Sequence, residues 1–332
     1  MRNPQSPLAP GVGEVQSNNP KVFSQVLGYA LDNYPGRRKY LQIYTHGGGV
    51  FGIGTDETQT DLNGKVLPKE QQVGIMRMPD FAEALRQGLK GRQLDMIYFR
   101  ACLMGNVEAL YELRGTTKYA LASEDVSYSV DNSNLTMTKQ FDDLAAKDEE
   151  PAAIAKAMAI QANAKNPERK DGSFSGYTTM AAIDMTKMDE LKTAINVLAR
   201  ALTAAMKTEE KAIVAAYDAV PTVQGKDKAE AFSDHMRDLW AFTAQLDQRV
   251  KDKAVQSAVA QVRSAQRAAM LHAKDTFGSA ANGLSIFMPA RAELGAKGQM
   301  TKFLAGRYQE TKFAKDSAWD EFLEVVPGGG AN

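Results

Sequence analysis

With 332 residues, 44% of them hydrophobic and 24% charged, the chain is long enough to bury a large core and has an ordinary globular composition. Its 40 basic residues balance 40 acidic ones, so no broad field draws it toward nucleic acid or an anionic membrane. A single cysteine excludes an intrachain disulfide framework and a multi-cysteine zinc site, and no apolar run approaches the roughly 20 residues of a membrane span.

Residues 1–20 are rich in Pro, Gly, Asn and Ser and predict an irregular arm. Pro20 suits the first turn of a helix that runs through Val22, Val26, Leu27, Ala30 and Leu31 to the break at Asn33-Tyr34-Pro35-Gly36. A first strand is expected from Tyr40 to Thr45, then a polar, Gly-containing loop from Gly47 to Gly74 that is too long for a plain connector. Helix is expected over Pro79–Leu89, strand over Met96–Arg100, helix over Leu103–Leu113, and a buried strand over Tyr119–Ser123. This alternation predicts a parallel sheet with helices on its faces.

Beyond residue 135 the sequence turns Ala-rich, with helices expected at 150–164, 186–217, 228–247 and 252–275. Strand-like pieces at Tyr177–Ile183 and Leu284–Met288 interrupt them. The whole reads as one domain over 21–325, with its core in 21–135 and a helix-rich remainder in 136–325, followed by a flexible tail at 326–332.

Chemistry is signalled at two strand ends. The first strand runs into Thr45-His46-Gly47-Gly48-Gly49, and the second runs into Cys102 just before a helix. Strand ends of this kind face the ligand crevice in parallel α/β sheets. A thiol needs a base or an electropositive site to become a nucleophile near neutral pH, and His46 is the candidate base. The glycines after it let a substrate backbone approach and leave amide N–H groups available. The other histidines, His235 and His272, fall in expected helices and read as packing or surface residues.

Competing motifs fail their own conditions. Gly47 to Gly52 matches G-x-G-x-x-G, but no helix opens there to hold a pyrophosphate. His-Gly-Gly-Gly suits the oxyanion loop of a serine esterase, yet Gly172-Ser173-Phe174-Ser175-Gly176 carries phenylalanine where the nucleophile belongs. A calcium loop is sketched by Asp61, Asn63, Gly64 and Glu70, but it has Gln59 in the first ligand position and no helix upstream. No cofactor is therefore expected, with calcium at Asp61, Asn63 and Glu70 the weak exception.

Thr45-His46-Gly47-Gly48-Gly49 together with Leu94-Asp95-Met96-Ile97-Tyr98-Phe99-Arg100-Ala101-Cys102-Leu103-Met104-Gly105-Asn106-Val107-Glu108 resembles the clostripain family of cysteine peptidases. The likeness continues through Ala122-Ser123-Glu124, Tyr177 to Asp184, Gly283 to Pro289 and Trp319 to Leu323. It implies a caspase-like three-layer α/β/α sandwich with a mostly parallel central sheet and added C-terminal helices. It further implies hydrolysis of a protein or peptide substrate through a Cys-His dyad and a thioester acyl-enzyme. On that likeness Cys102 attacks the scissile carbonyl and His46 handles the proton. The amides of Gly47 and Cys102 hold the oxyanion, while Arg100, Ser123 and Glu124 line the substrate site.

Two departures from the family pattern bear on function. Relatives usually have another strand and helix ahead of the segment matching residues 12–35. The start, Met1 to Pro7, lacks the apolar core of a secretion signal, so the expected compartment is the cytoplasm for a complete chain, and secreted or periplasmic for one whose leader has been removed. Relatives also usually carry aspartate two residues before the nucleophile, associated with basic P1 residues, where this chain has Arg100. A guanidinium there would repel basic side chains and could pair with a carboxylate, or it could instead pair with Glu124 or Asp125 and leave the pocket to others. Self-cleavage is expected in the loop 53–74, beside Asp56, Glu57 or Asp61 if acidic preference holds and at Lys65 or Lys69 if it does not. A catalytically idle caspase-like domain that binds partners is the alternative reading. The sequence leaves the oligomeric state open.

Overall fold

The computed structural model describes residues 16–55, 74–127, 139, 142–164, 179–223, 235–273, 282–295 and 299–329. Helix α1 (Pro20–Asn33) starts where Pro20 was expected to start it, with the Asn19 side chain accepting from the Lys21 amide. Strand β1 (Tyr40–Tyr44) leads through the glycine loop to α2 (Met78–Leu89), and β2 (Leu94–Arg100) leads to α3 (Val107–Glu112) and β3 (Thr117–Ser123). Then come α4 (Pro151–Ala164), β4 (Met180–Asp184), α5 (Met188–Asp218), β5 (Met236–Asp238), α6 (Leu239–Arg249) and α7 (Lys253–Ala269). Strands β6 (Met270–His272) and β7 (Ser285–Phe287) precede α8 (Gln299–Phe303), α9 (Lys312–Asp316) and α10 (Trp319–Val325).

The main sheet has the order β1-β2-β3-β4-β6. Strands β1, β2 and β3 pair in parallel, while β4 is antiparallel to both β3 and β6. Four of the five strands therefore point the same way. Side chains alternate across the sheet: Met96 and Tyr98 of β2 join Leu121, Ala182 and the α4 residues Ile154, Ala155 and Met158 in one cluster. Ile97 and Phe99 go to the opposite face, in a larger cluster that takes in Phe81 and Leu85 of α2, Leu198 of α5 and Val259 of α7. The sheet is thus covered on both sides, which is why β2 is apolar along nearly its whole length. The larger cluster runs from Leu27 to Val326, so the core segment and the helix-rich remainder share one interior.

Three expectations need correction. Of the helix foreseen over 228–247, residues 228–234 lie outside the described residues, and Met236–Asp238 form β5, which pairs with β7 in a separate two-stranded sheet, so that helix is present only from Leu239 on. Asp238 ends that strand and caps α6, accepting from the Ala241 amide. The helix foreseen through 275 stops at Ala269, and His272 lies in β6 at the margin of the main sheet. In both places long-range strand pairing overrides a local apolar spacing that fits helix. The tail is held further than expected, since Val326 is buried and Arg291 donates to the Pro327 carbonyl at 3.0 Å. One helix also bends: Glu209 departs from helical dihedrals inside α5, and its carboxylate accepts from the Lys251 amide at 3.0 Å.

Candidate active site

The ends of β1 and β2 lie side by side, because Tyr44 is in register with Arg100 and the Thr45 amide extends the ladder to the Arg100 carbonyl at 3.4 Å. Past that rung the two chains stay in contact. A Cβ on Gly47 would fall 2.3 Å from the Cys102 carbonyl oxygen, so only glycine fits. His46 is exposed, and the residue after it touches the peptide of the cysteine. Gly47 also bridges Ile53, but the flanking hydrogen bonds come from the Gly48 and Gly54 amides. The Gly47 N–H is not spent on that bridge.

Cys102 sits in the turn after β2, 7% exposed, with its Sγ accepting from the Ser127 amide at 3.3 Å. Leu103 follows with φ of 61°, a left-handed conformation that costs a side-chain-bearing residue about 1–3 kcal/mol and is characteristic of functional turns. The turn is fixed from behind. A Cβ on Gly105 would lie 2.7 Å from the Glu124 nitrogen, and the Asn106 side chain caps α3 by accepting from the Ala109 amide at 3.0 Å.

Further along the same block, Glu108 is fully buried and accepts from the Phe287 amide at 3.0 Å and the Tyr308 hydroxyl at 2.9 Å. Burial pushes its carboxyl up to about 7 despite those donors. The Met-Gly-Asn-Val-Glu part of the motif is therefore scaffolding that ties the turn to β7.

Arg100 lies half-buried on the face of Met96 and Tyr98, with its guanidinium 4.7 Å from the centre of the Tyr44 ring. Among the described residues no carboxylate pairs with it, so the expected alternative of a bridge to Glu124 or Asp125 is not what the structure has. Because β2 ends at Arg100, the strand alternation that would place Arg100 and Cys102 on one side does not extend across the turn.

Ser123 and Glu124 must be reassigned. Both are completely buried, so neither lines an open substrate site. The Ser123 hydroxyl bonds Thr179 Oγ1 at 2.9 Å, and Glu124 accepts from the Gly283 amide at 2.8 Å. Burial, and then the charge of Asp238, drives the Glu124 carboxyl upward, while burial pushes Asp238 up to about 6. The other Glu124 oxygen has no hydrogen-bond partner among the described residues, and the Asp238 charge beside it favours the neutral acid. This pair fastens β3 to β5 and to Asn282-Gly283, and the sequence held no local hint of it.

The calcium candidates Asp61, Asn63 and Glu70, and the cleavage candidates Asp56, Glu57, Lys65 and Lys69, lie outside the described residues. Among the described residues no group of three or more His, Cys, Asp or Glu side chains is arranged to hold a metal ion, and no helix is long and apolar enough to cross a membrane.

Two solved structures share this fold, each with a TM-score of 0.58. One is an inactive zymogen of a C11 protease from Parabacteroides distasonis, 16% identical over 91% of this chain and 77% of that one. The other is a secreted C11 cysteine protease from Bacteroides thetaiotaomicron in complex with an irreversible peptide inhibitor, 16% identical over 92% and 79%. At that identity they establish the caspase-like α/β architecture. No curated protein matches the chain. The clostripain family model matches residues 9–325, nearly the full length and both strand ends described above, so this chain belongs to the clostripain family and is a cysteine-type endopeptidase.

Proposed function

We propose that Cys102 is the nucleophile of this peptidase and His46 its acid-base partner. The observation that carries this reading is the seating of Gly47 against the Cys102 carbonyl, which brings the histidine loop onto the nucleophile's own peptide. The Cys102 thiolate attacks the scissile carbonyl. The C–N bond then breaks as the imidazolium of His46 gives its proton to the leaving amine, and a thioester remains. Water, deprotonated by the same imidazole, attacks the thioester and returns the thiol. The amides of Gly47 and Cys102 stabilise the oxyanion that exists only around the transition states, where such donors are most effective.

Arg100 sets the substrate preference toward an acidic P1 residue. Its charge has no carboxylate partner among the described residues, and the ring of Tyr44, an exposed residue, supports the guanidinium while leaving its edge donors available to a carboxylate. The loop 53–74 is the site of self-cleavage, a reading supported by the zymogen form of the Parabacteroides relative.

Peptidyl electrophiles that differ only at P1 test the assignment. Wild-type enzyme is expected to label stoichiometrically with Asp or Glu at P1, with Cys102→Ala unlabelled and His46→Ala slowed at least a hundredfold, within the range of acid-base catalysis. Efficient labelling or cleavage after Arg or Lys would overturn the acidic preference, and Arg100→Asp should then fail to move it. Intact mass of wild type against Cys102→Ala shows whether the loop is cut and by whom.

A further inference from the structure

The turn that carries Cys102 is laced to the chain that follows β3. Gly105 N–H donates to the Ser123 carbonyl at 2.7 Å, and Leu103 N–H donates to the Asp125 carbonyl at 3.2 Å. Both bonds are donated by the turn, so the chain after β3 keeps its own N–H groups for other acceptors, and that of Asp125 goes to Thr179 Oγ1. The Ser127 N–H points at sulfur, 3.3 Å from Cys102 Sγ, and the Ser127 carbonyl oxygen lies 3.9 Å from the same atom.

That amide is held in place. Thr179 Oγ1 accepts from the Asp125 amide at 2.9 Å and bonds the Ser123 hydroxyl at 2.9 Å, and the Asp125 carboxylate accepts from the Val126 amide at 2.6 Å. The Val126 side chain is buried in the main core. Cys102 as a residue is only 7% exposed, so donors supplied by the protein weigh heavily in how its sulfur carries charge.

We propose that the Ser127 main-chain N–H is a further member of the catalytic apparatus, a preset donor that stabilises the Cys102 thiolate in the resting enzyme. This rests on the reading of Cys102 as nucleophile. The bond acts before the chemistry: once sulfur is joined to the acyl carbon its charge is gone, and the donor has little left to hold. A donor that favours the thiolate also lowers its intrinsic reactivity, because nucleophilicity falls with thiol pKa at a slope of about 0.4–0.5.

The test is an amide-to-ester replacement at position 127 in the full chain, which removes the N–H and little else. The readout is the pH profile of Cys102 alkylation by iodoacetamide. With the donor gone, the titration midpoint should rise by about one unit, within the range of a single lost hydrogen bond to an ionised group. The thiolate fraction below both midpoints then falls about tenfold while reactivity rises about threefold. The ester profile should therefore lie about threefold below wild type in acid and about threefold above it in base, and the curves should cross. Ser127→Ala keeps the N–H and should superimpose on wild type. Ser127→Pro also lacks the N–H and should cross as the ester does.

Superimposable ester and wild-type curves, or a uniform loss at every pH, would overturn the proposal. So would a Ser127→Ala variant that shifts as far as the ester. Failure of the underlying reading looks different, because then the wild-type enzyme itself shows no His46-dependent labelling of Cys102 by a peptidyl electrophile.

Discussion

The ends of β2 and β3 are neighbours in one sheet and do opposite work. At the end of β2, Arg100 is half-exposed with its guanidinium over the ring of Tyr44, while Cys102 lies in a turn that contains a left-handed leucine. At the end of β3, Ser123 and Glu124 are sealed in, bonded to the Thr179 hydroxyl and the Gly283 amide. Both ends carry polar residues at the rim of a mostly parallel sheet, so position alone does not mark a functional side chain. What separates them is access: Ser123 and Glu124 are sealed in and serve as mortar, while Arg100 keeps part of its side chain open to a substrate.

The largest break in this comparison should come from Gly47→Ala. Its Cβ would collide with the Cys102 carbonyl oxygen, so the histidine loop must lift away from the nucleophile. Peptidase turnover is expected to fall at least a hundredfold, as displacement of a catalytic group by about 1 Å suffices for that. A variant that retained most of its activity would separate the two strand ends functionally.

On the β3 side the expected damage is to stability instead. Glu124→Ala leaves the buried Gly283 amide without its acceptor and Asp238 without the carboxyl beside it, and should cost about 3 kcal/mol in a denaturant melt. Glu124→Gln keeps an acceptor for the Gly283 amide and a donor for Asp238, and should cost far less.

The same region predicts the pH response. A carboxyl whose folded pKa is raised binds its proton more tightly in the native state. Its stabilising contribution is therefore complete below the unfolded pKa and is lost as pH rises through the folded value. For Glu108, pushed from 4.5 up to about 7, the loss across that window is about 3 kcal/mol. Glu108→Gln should flatten the decline in melting temperature between pH 4.5 and 7, and an unchanged slope would show that another group sets it.

The smallest stability effect is expected at the open end. Arg100→Ala removes one partly exposed cation-π contact, and the melt should shift by less than about 1 kcal/mol. Its P1 preference should nevertheless change. A large loss of stability would place Arg100 among the mortar.

The parallel half of the fold was legible because its strands contain apolar runs: Leu94–Arg100 and the end of Thr117–Ser123 are buried, and Tyr40–Tyr44 keeps an apolar pattern although Gln42 and Tyr44 are exposed. Strands β5 and β6 are three residues each and owe their form to partners far along the chain, so no local pattern could reveal them. His46 and Cys102 stood out because glycines and a strand-to-helix change surround them. Glu124 misled for the opposite reason: a charged residue after a strand reads as exposed, and the groups that bury it, Asp238 and the Gly283 amide, are distant, the latter by 159 positions. Ser127 contributes through its backbone, which side-chain identity does not encode.

One more consequence attaches to the sulfur in its turn, which is the only one of its kind in 332 residues. An oxidant that reaches it forms a sulfenic acid with no second thiol in the chain to condense with. Repair by an internal disulfide is closed to this protein, so recovery of an oxidised molecule depends on a reductant supplied by its surroundings.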